Sequence, residues 1–210
     1  EIIVPKKTLV HKDIFLRFCD PYIYPKKQYN FPLPEQIFKD IKLNMPDDLS
    51  KIYQEVKDTC SLYIQEHDFQ MFFTAGLWQK LLQVSCGFIY DPISHEPTNL
   101  SSDKIEQLKE MLPDIIEDKK CLIFSSYPVE IKKAHEILSK HYKCEMIYGG
   151  MSPKQVSNSI ENFKHKKLQI LIANPECIGE GISFECCARQ IHLSISPRGL
   201  IYSQAIGRTN

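Results

Sequence analysis

The sequence lacks the parts that grip a nucleotide's phosphates. No GxxxxGK[ST] loop occurs in its 210 residues, and no DExH-like acidic motif. Without a phosphate-cradling loop, its lysine and an Mg²⁺-holding carboxylate, the chain alone is expected to bind no ATP. No CxxC pair occurs either, so the eight cysteines offer no paired zinc ligands and no metal site is expected. Several of them fall in apolar runs, and they read as reduced thiols of an intracellular protein, whether cytoplasmic, nucleoid or nuclear. No apolar run approaches the roughly 18 residues of a spanning helix, so no membrane contact is expected. The opening EIIVPKKTLVHKD is too lysine-interrupted for a secretory signal.

Net charge is missing too, since 26 Lys+Arg balance 26 Asp+Glu. The zero conceals an asymmetry. Residues 1–118 hold 13 basic against 19 acidic side chains, net −6, and residues 119–210 hold 13 against 7, net +6. A basic C-terminal half suits a phosphate-binding lobe, although charge runs also serve as plain solvated faces.

What is present concentrates between Leu168 and Arg208. An apolar run, Leu168 to Ala173, reads as a buried parallel strand. The polar loop Asn174 to Phe184 follows, with Gly179 and Gly181 placed to turn the backbone and offer N–H groups to an anion. A second buried strand is expected at about Gln190 to Ile195, then a helical stretch carrying Gln204 and Arg208. By themselves these pieces also fit an ordinary αβ loop and a surface arginine.

The remaining chain is read in order. FLRFCDPYIYP suggests a short helix ending near Asp20-Pro21 and then extended chain. Ile37 to Leu43 alternates like a half-buried strand. Leu49, Ile52, Tyr53, Val56, Cys60, Tyr63 and Ile64 follow helical spacing, and a second helix is expected over about Met71 to Cys86, with Trp78 buried. Thr98 to Ser102 reads as a polar linker. Ile105, Leu108, Leu112 and Ile115 mark one helical face. From Cys121 the pattern becomes βα: strand Cys121 to Phe124, turn Ser125 to Pro128, helix through Ile131, Ala134 and Leu138, strand Glu145 to Tyr148, then Gly149-Gly150. Ser152-Pro153-Lys154-Gln155 has the form of a capping box opening a helix with Val156, Ile160 and Phe163 inward. Lys164, His165, Lys166 and Lys167 load its last turn, where the helix dipole favours cations. Repeated βα units imply a parallel sheet whose ligands meet the C-terminal strand ends.

GEGISF followed by SQAIGRTN resembles motifs V and VI of superfamily 2 helicases. QAIGR in place of HRxGR resembles the SWI/SNF branch of DNA translocases, in the compact form of phage, viral and bacterial proteins. CLIFSSY is similar to motif IV, and IYGGMSPKQVSNSIENF to the unit after it. The resemblance implies an α/β fold, a RecA-like parallel sheet flanked by helices with an N-terminal helical protrusion. It divides the chain into the end of a first motor lobe with linker (1–34), a strand plus a protrusion packed on the second lobe (35–100), and that second lobe (101–210), breaking off within motif VI.

It further implies double-stranded DNA backbone and the first motor lobe of the same polypeptide as partners, with ATP and Mg²⁺ used by the full-length protein and none bound by this chain alone. Arg208 and Gln204 become catalytic, Arg208 as the finger reaching the ATP of the first lobe. Gly179, Glu180 and Gly207 become nucleotide-facing. Ser125, Ser126, Gly149, Gly150, Asn174, Gly181, Ile182 and Ser183 become nucleic-acid contacts. Val156 stands where the family commonly has arginine, and Ser183 where it has Asn or Asp. Two other readings stand beside this one: a superfamily 2 lobe working on RNA or separating strands, and a non-catalytic α/β interaction module.

Overall fold

Two apolar tetrads in the C-terminal half, Cys121–Phe124 and Ile170–Ala173, each need a hydrogen-bonded neighbour on both sides, and the sheet supplies it. The computed structural model describes residues 36–59, 61–64, 69–72, 76–91, 93–117, 119–165, 168–179, 181–196 and 198–209. The expected helix before Pro21, the linker, Cys19, Cys60, Lys166, Lys167 and Glu180 lie outside them. The chain divides into Glu1–Ile37 and Phe38–Asn210, and the second unit carries everything that follows.

In chain order the elements are α1 (Asp47–Thr59), β1 (Ser61–Ile64), β2 (Phe69–Phe72), α2 (Leu77–Ser85), β3 (Phe88–Tyr90), β4 (Pro97–Asn99) and α3 (Asp103–Ile116). Then come β5 (Cys121–Phe124), α4 (Pro128–Leu138), β6 (Cys144–Ile147), α5 (Pro153–His165), β7 (Ile170–Ala173), β8 (Arg189–His192) and α6 (Gly199–Ile206). The sheet is parallel throughout, in the order β6-β7-β5-β8.

The two central strands, β5 and β7, are fully buried, and their alternate residues build two cores. Cys121, Ile123, Ile170 and Ile172 pack against Ile105, Leu108, Leu112 and Ile116 of α3 and Ile131, Ala134 and Leu138 of α4. Leu122, Phe124, Leu171 and Ala173 face Ile160 and Phe163 of α5, with Phe184 and Ala205. Each fully buried Leu, Ile or Phe adds about 1.5–3 kcal/mol. The crossover from β5 to β6 runs one way along the sheet and the return to β7 the other. A single crossover hand therefore puts α4 and α5 on opposite faces, as observed.

Several helix ends are written locally. Ser152 accepts from the Gln155 N–H at 3.4 Å, and Gln155 Oε1 accepts from the Ser152 N–H at 2.9 Å. This is the expected capping box. Lys120 Nζ donates to the carbonyls of Phe163 and Lys164, closing the other end of α5.

Several expectations fail. Residues 36–46 form no strand, and Phe38, Ile41 and Leu43 are exposed: alternation gives a strand only where a ladder partner exists. The run assigned to helix from Met71 starts at Leu77, because β2 pairs antiparallel with β1 and Gly76 (φ +80) breaks the path. Within α2, Leu77, Leu81 and Val84 face inward, so Trp78 falls on the outer side and is 80% exposed. The last buried position of α3 is Ile116, one residue beyond Ile115. The protrusion is thus helix, hairpin and helix. Strand β8 is half-buried rather than buried, since it is an edge.

The 38–100 segment packs on the sheet domain through β3. Phe88 meets Tyr127 edge-to-face at 5.2 Å, with Cys86 alongside. Gly87 is obligatory there, because a Cβ would lie 2.4 Å from the Ser101 carbonyl oxygen and φ is +83.

Candidate functional site at the strand ends

The C-terminal ends of the four parallel strands deliver Ser125, Tyr148, Asn174 and Leu193 to one edge. The chain between them stays regular in its pairing. Ser125 N–H donates to Ala173 O at 3.1 Å, Asn174 N–H to Ile147 O at 2.9 Å, and Leu193 N–H to Phe124 O at 2.8 Å.

The sequence-assigned residues separate into three groups there. The first lines a groove of about 550 Å³ beside α5, bounded by Tyr148, Gly149, Gly150, Val156, Lys164 and Ile182. Gly150 holds φ +97 and Gly181 φ +75, conformations that favour glycine, and Gly149, Gly150 and Gly181 are all exposed. Val156 makes that wall apolar where the family pattern has arginine.

The second group is a polar network under the β5 and β8 ends. Ser125 is fully buried, and its hydroxyl donates to Glu130 Oε2 at 2.6 Å. Ser194 Oγ donates to the same oxygen at 2.7 Å and accepts from the Ser126 N–H at 2.9 Å. Lys104 Nζ donates to Glu130 Oε1 at 2.8 Å and to the Leu193 carbonyl. Asn174 spends its side chain on its own chain: Oδ1 accepts from the Glu176 N–H at 2.9 Å, and Nδ2 donates to Ser126 O at 3.4 Å. Ser126 Oγ is buried with no hydrogen-bond partner among the described residues. The Ser125 hydroxyl thus has its partners within the chain, at Glu130 and the Tyr127 N–H.

The third group joins the glycine loop to the end of α6. Arg208 is 7% exposed. Its Nη1 donates to Gly179 O and Ile182 O and its Nη2 to Ile178 O, each at 3.1 Å, while its own carbonyl accepts from Phe184 N–H at 2.6 Å. Helix α6 ends at Ile206, so it carries Gln204 but not Arg208, whereas the sequence predicts both on one helical stretch. Gln204 is exposed, and Gly207 forms the C-cap with room for a Cβ. Ser183 Oγ donates to Glu185 Oε1 at 3.3 Å. Among the described residues no cluster of His, Cys, Asp or Glu could hold a metal ion.

Burial sets the electrostatics of the network. Burial pulls the Lys104 ammonium down, but Glu130 and Cys86 together more than offset it and hold the group above its ordinary value. Burial, reinforced by Glu130, pushes the Cys86 thiol up to about 12, so it stays protonated.

Residues 103–210, just over half of the chain, match the helicase conserved C-terminal domain. The chain belongs to that family. An Arabidopsis thaliana protein named DEAD-box ATP-dependent RNA helicase 44 is 27% identical over 110 residues, 51% of this chain and 18% of the relative. The chain thus spans less than a fifth of that protein's length. Among solved structures, the C-terminal part of the Fun30 ATPase domain is 29% identical, with TM-score 0.47 over 52% of this chain and 36% of its own. A Sulfolobus solfataricus SWI2/SNF2 ATPase C-terminal domain is 23% identical, with TM-score 0.40 over 44% of this chain and 42% of its own. The parallel four-stranded sheet flanked by helices is the fold of a helicase C-terminal lobe.

Sequence reading missed Glu130, Lys104 and Ser194. One signal was available for Glu130. It stands four residues before Ala134, inside the register that Ile131, Ala134 and Leu138 bury.

Proposed function

We propose that this chain is the second motor lobe of an ATP-dependent translocase acting on double-stranded DNA, of SWI/SNF type. The observation that carries the reading is the union of GEGISF and QAIGR. Arg208 ties the end of the second motif to the carbonyls of the first, beside the strand ends of a parallel sheet. Backbone N–H groups at Gly149, Gly150, Gly181 and Ile182, with Ser126 beside them, face one strand's phosphates. Such contacts position without reading sequence.

ATP and Mg²⁺ are held by the first lobe of the full-length protein, with Gly179, Glu180 and Gly207 on the facing wall. Arg208 releases the loop carbonyls to neutralise charge on the transferred phosphoryl group, and exposed Gln204 faces the same cleft. A second reading, an RNA-directed lobe, is favoured by the name of the 27%-identical relative. ATP turnover of the complete protein, with duplex DNA and with RNA of equal length, tests the two. Stimulation by duplex DNA is expected. Stimulation by RNA alone would replace the reading.

A further inference from the structure

Glu130 is a buried carboxylate with a cation beside it, at 1% exposure, in a helix whose neighbouring positions are apolar. A buried ion pair is weak as a stabilising device, because desolvation offsets most of the attraction and an apolar replacement often does as well. What such a pair does supply is fixed direction, and here the directions are informative. Glu130 Oε2 receives both Ser125 Oγ, from the turn after β5, and Ser194 Oγ, from the turn after β8. Ser194 Oγ in turn accepts the Ser126 N–H, and Ser125 Oγ accepts the Tyr127 N–H at 3.2 Å. Lys104 adds the Leu193 carbonyl and touches Cys86 Sγ at 3.4 Å, so one side-chain cluster reaches the protrusion as well.

We infer that Glu130 is a positioning residue: it locks the turns after β5 and β8 to each other and so sets the edge presented to nucleic acid. Resting on the function proposed above for its second half, the inference does not need that function for its first. Glu130 touches no ligand. It acts through the two serines, whose backbone turns carry the polar groups at the edge.

The test uses the complete protein with Glu130→Ala, Glu130→Gln, Ser194→Ala and, as a structural control, Lys133→Met. Lys133 lies on the same helix but ties it to Ser101 O at 2.9 Å, away from the network. Hydrogen exchange is followed in peptides covering 125–128 and 193–196, alongside the duplex-DNA concentration that half-stimulates ATP turnover. Glu130→Ala is expected to speed exchange in both peptides together and to raise that concentration roughly tenfold, a change of about 1.4 kcal/mol. Ser194→Ala should reproduce the pattern more weakly, and Glu130→Gln, which keeps shape and an acceptor, should recover part of it. Lys133→Met should lower the melting temperature and leave both readouts near wild type. If Glu130→Ala behaves like Lys133→Met, or frees one turn only, the inference is overturned. Should wild type respond to no nucleic acid, the proposed function fails, and coupled exchange of the two turns alone decides whether Glu130 positions them.

Discussion

Arg208 and His192 show how a single side chain is defined by what surrounds it. The guanidinium of Arg208 satisfies carbonyls of three residues in the glycine loop, a fork geometry that lysine's point charge cannot reproduce. Arg208→Lys and Arg208→Ala are therefore both expected to destabilise this chain, by about 1–3 kcal/mol, measured by chemical denaturation. In the complete protein, Arg208→Ala should keep ATP binding and lose most stimulated hydrolysis. Turnover within a few-fold of wild type would remove the finger role and leave the loop role. His192 lies between Phe124 and Tyr202, with ring centroids 5.4 and 5.1 Å away, and burial lowers its pKa. The unfolded imidazole protonates first as pH falls, near its ordinary value of about 6.5. Stability contributed by neutral His192 is thus complete above that pH and lost on acidification toward the folded value. Melting temperature scanned from pH 7.5 to 5 should fall less steeply for His192→Gln than for wild type. Equal slopes would refute this.

At the scale of elements, legibility followed how local the determinants are. The capping box of α5 needs four consecutive residues, and the structure forms it as the sequence specifies. Ser152→Ala should cost about 1 kcal/mol, seen as a lower melting temperature with unchanged nucleic-acid response. An unchanged melting temperature would mean that the cap contributes nothing. The protrusion was misread because apolar and aromatic residues between Cys60 and Cys86 suit strand and helix alike. A hairpin between β1 and β2 wins once two segments can pair, and no window of one segment reveals the other. Trp78 follows from the face of α2 that packs: with Leu77, Leu81 and Val84 inward it falls outside their stripe.

For the whole molecule, the asymmetry of charge and the missing phosphate loop point the same way. The basic half, net +6 over residues 119–210, carries the strand-end edge, and nothing in the sequence cradles a triphosphate. The chain by itself is expected to hydrolyse no ATP, and to bind duplex DNA weakly with affinity falling steeply as salt rises. Nucleic-acid-stimulated turnover by the purified chain would contradict the first expectation. Salt-independent binding, measured by anisotropy between 50 and 200 mM salt, would contradict the second.

Local signals along the chain suffice for the sheet domain. Its apolar tetrads, helical periods, turn residues and two linked motifs each act over a few residues and agree with one another, so β5 to α6 could be placed before any contact was known. The partners of the polar residues near the strand ends depend instead on the assembled fold. The sequence predicts that Ser125, Asn174 and Arg208 face ligands, and in the folded chain all three also bond to its own groups. Their partners stand 5, 48 and 30 residues away in sequence, and Ser194 meets Glu130 across 64. The partners 30, 48 and 64 residues away are brought together by strand order and register. Those are properties of the assembled sheet and leave no periodic trace in the chain.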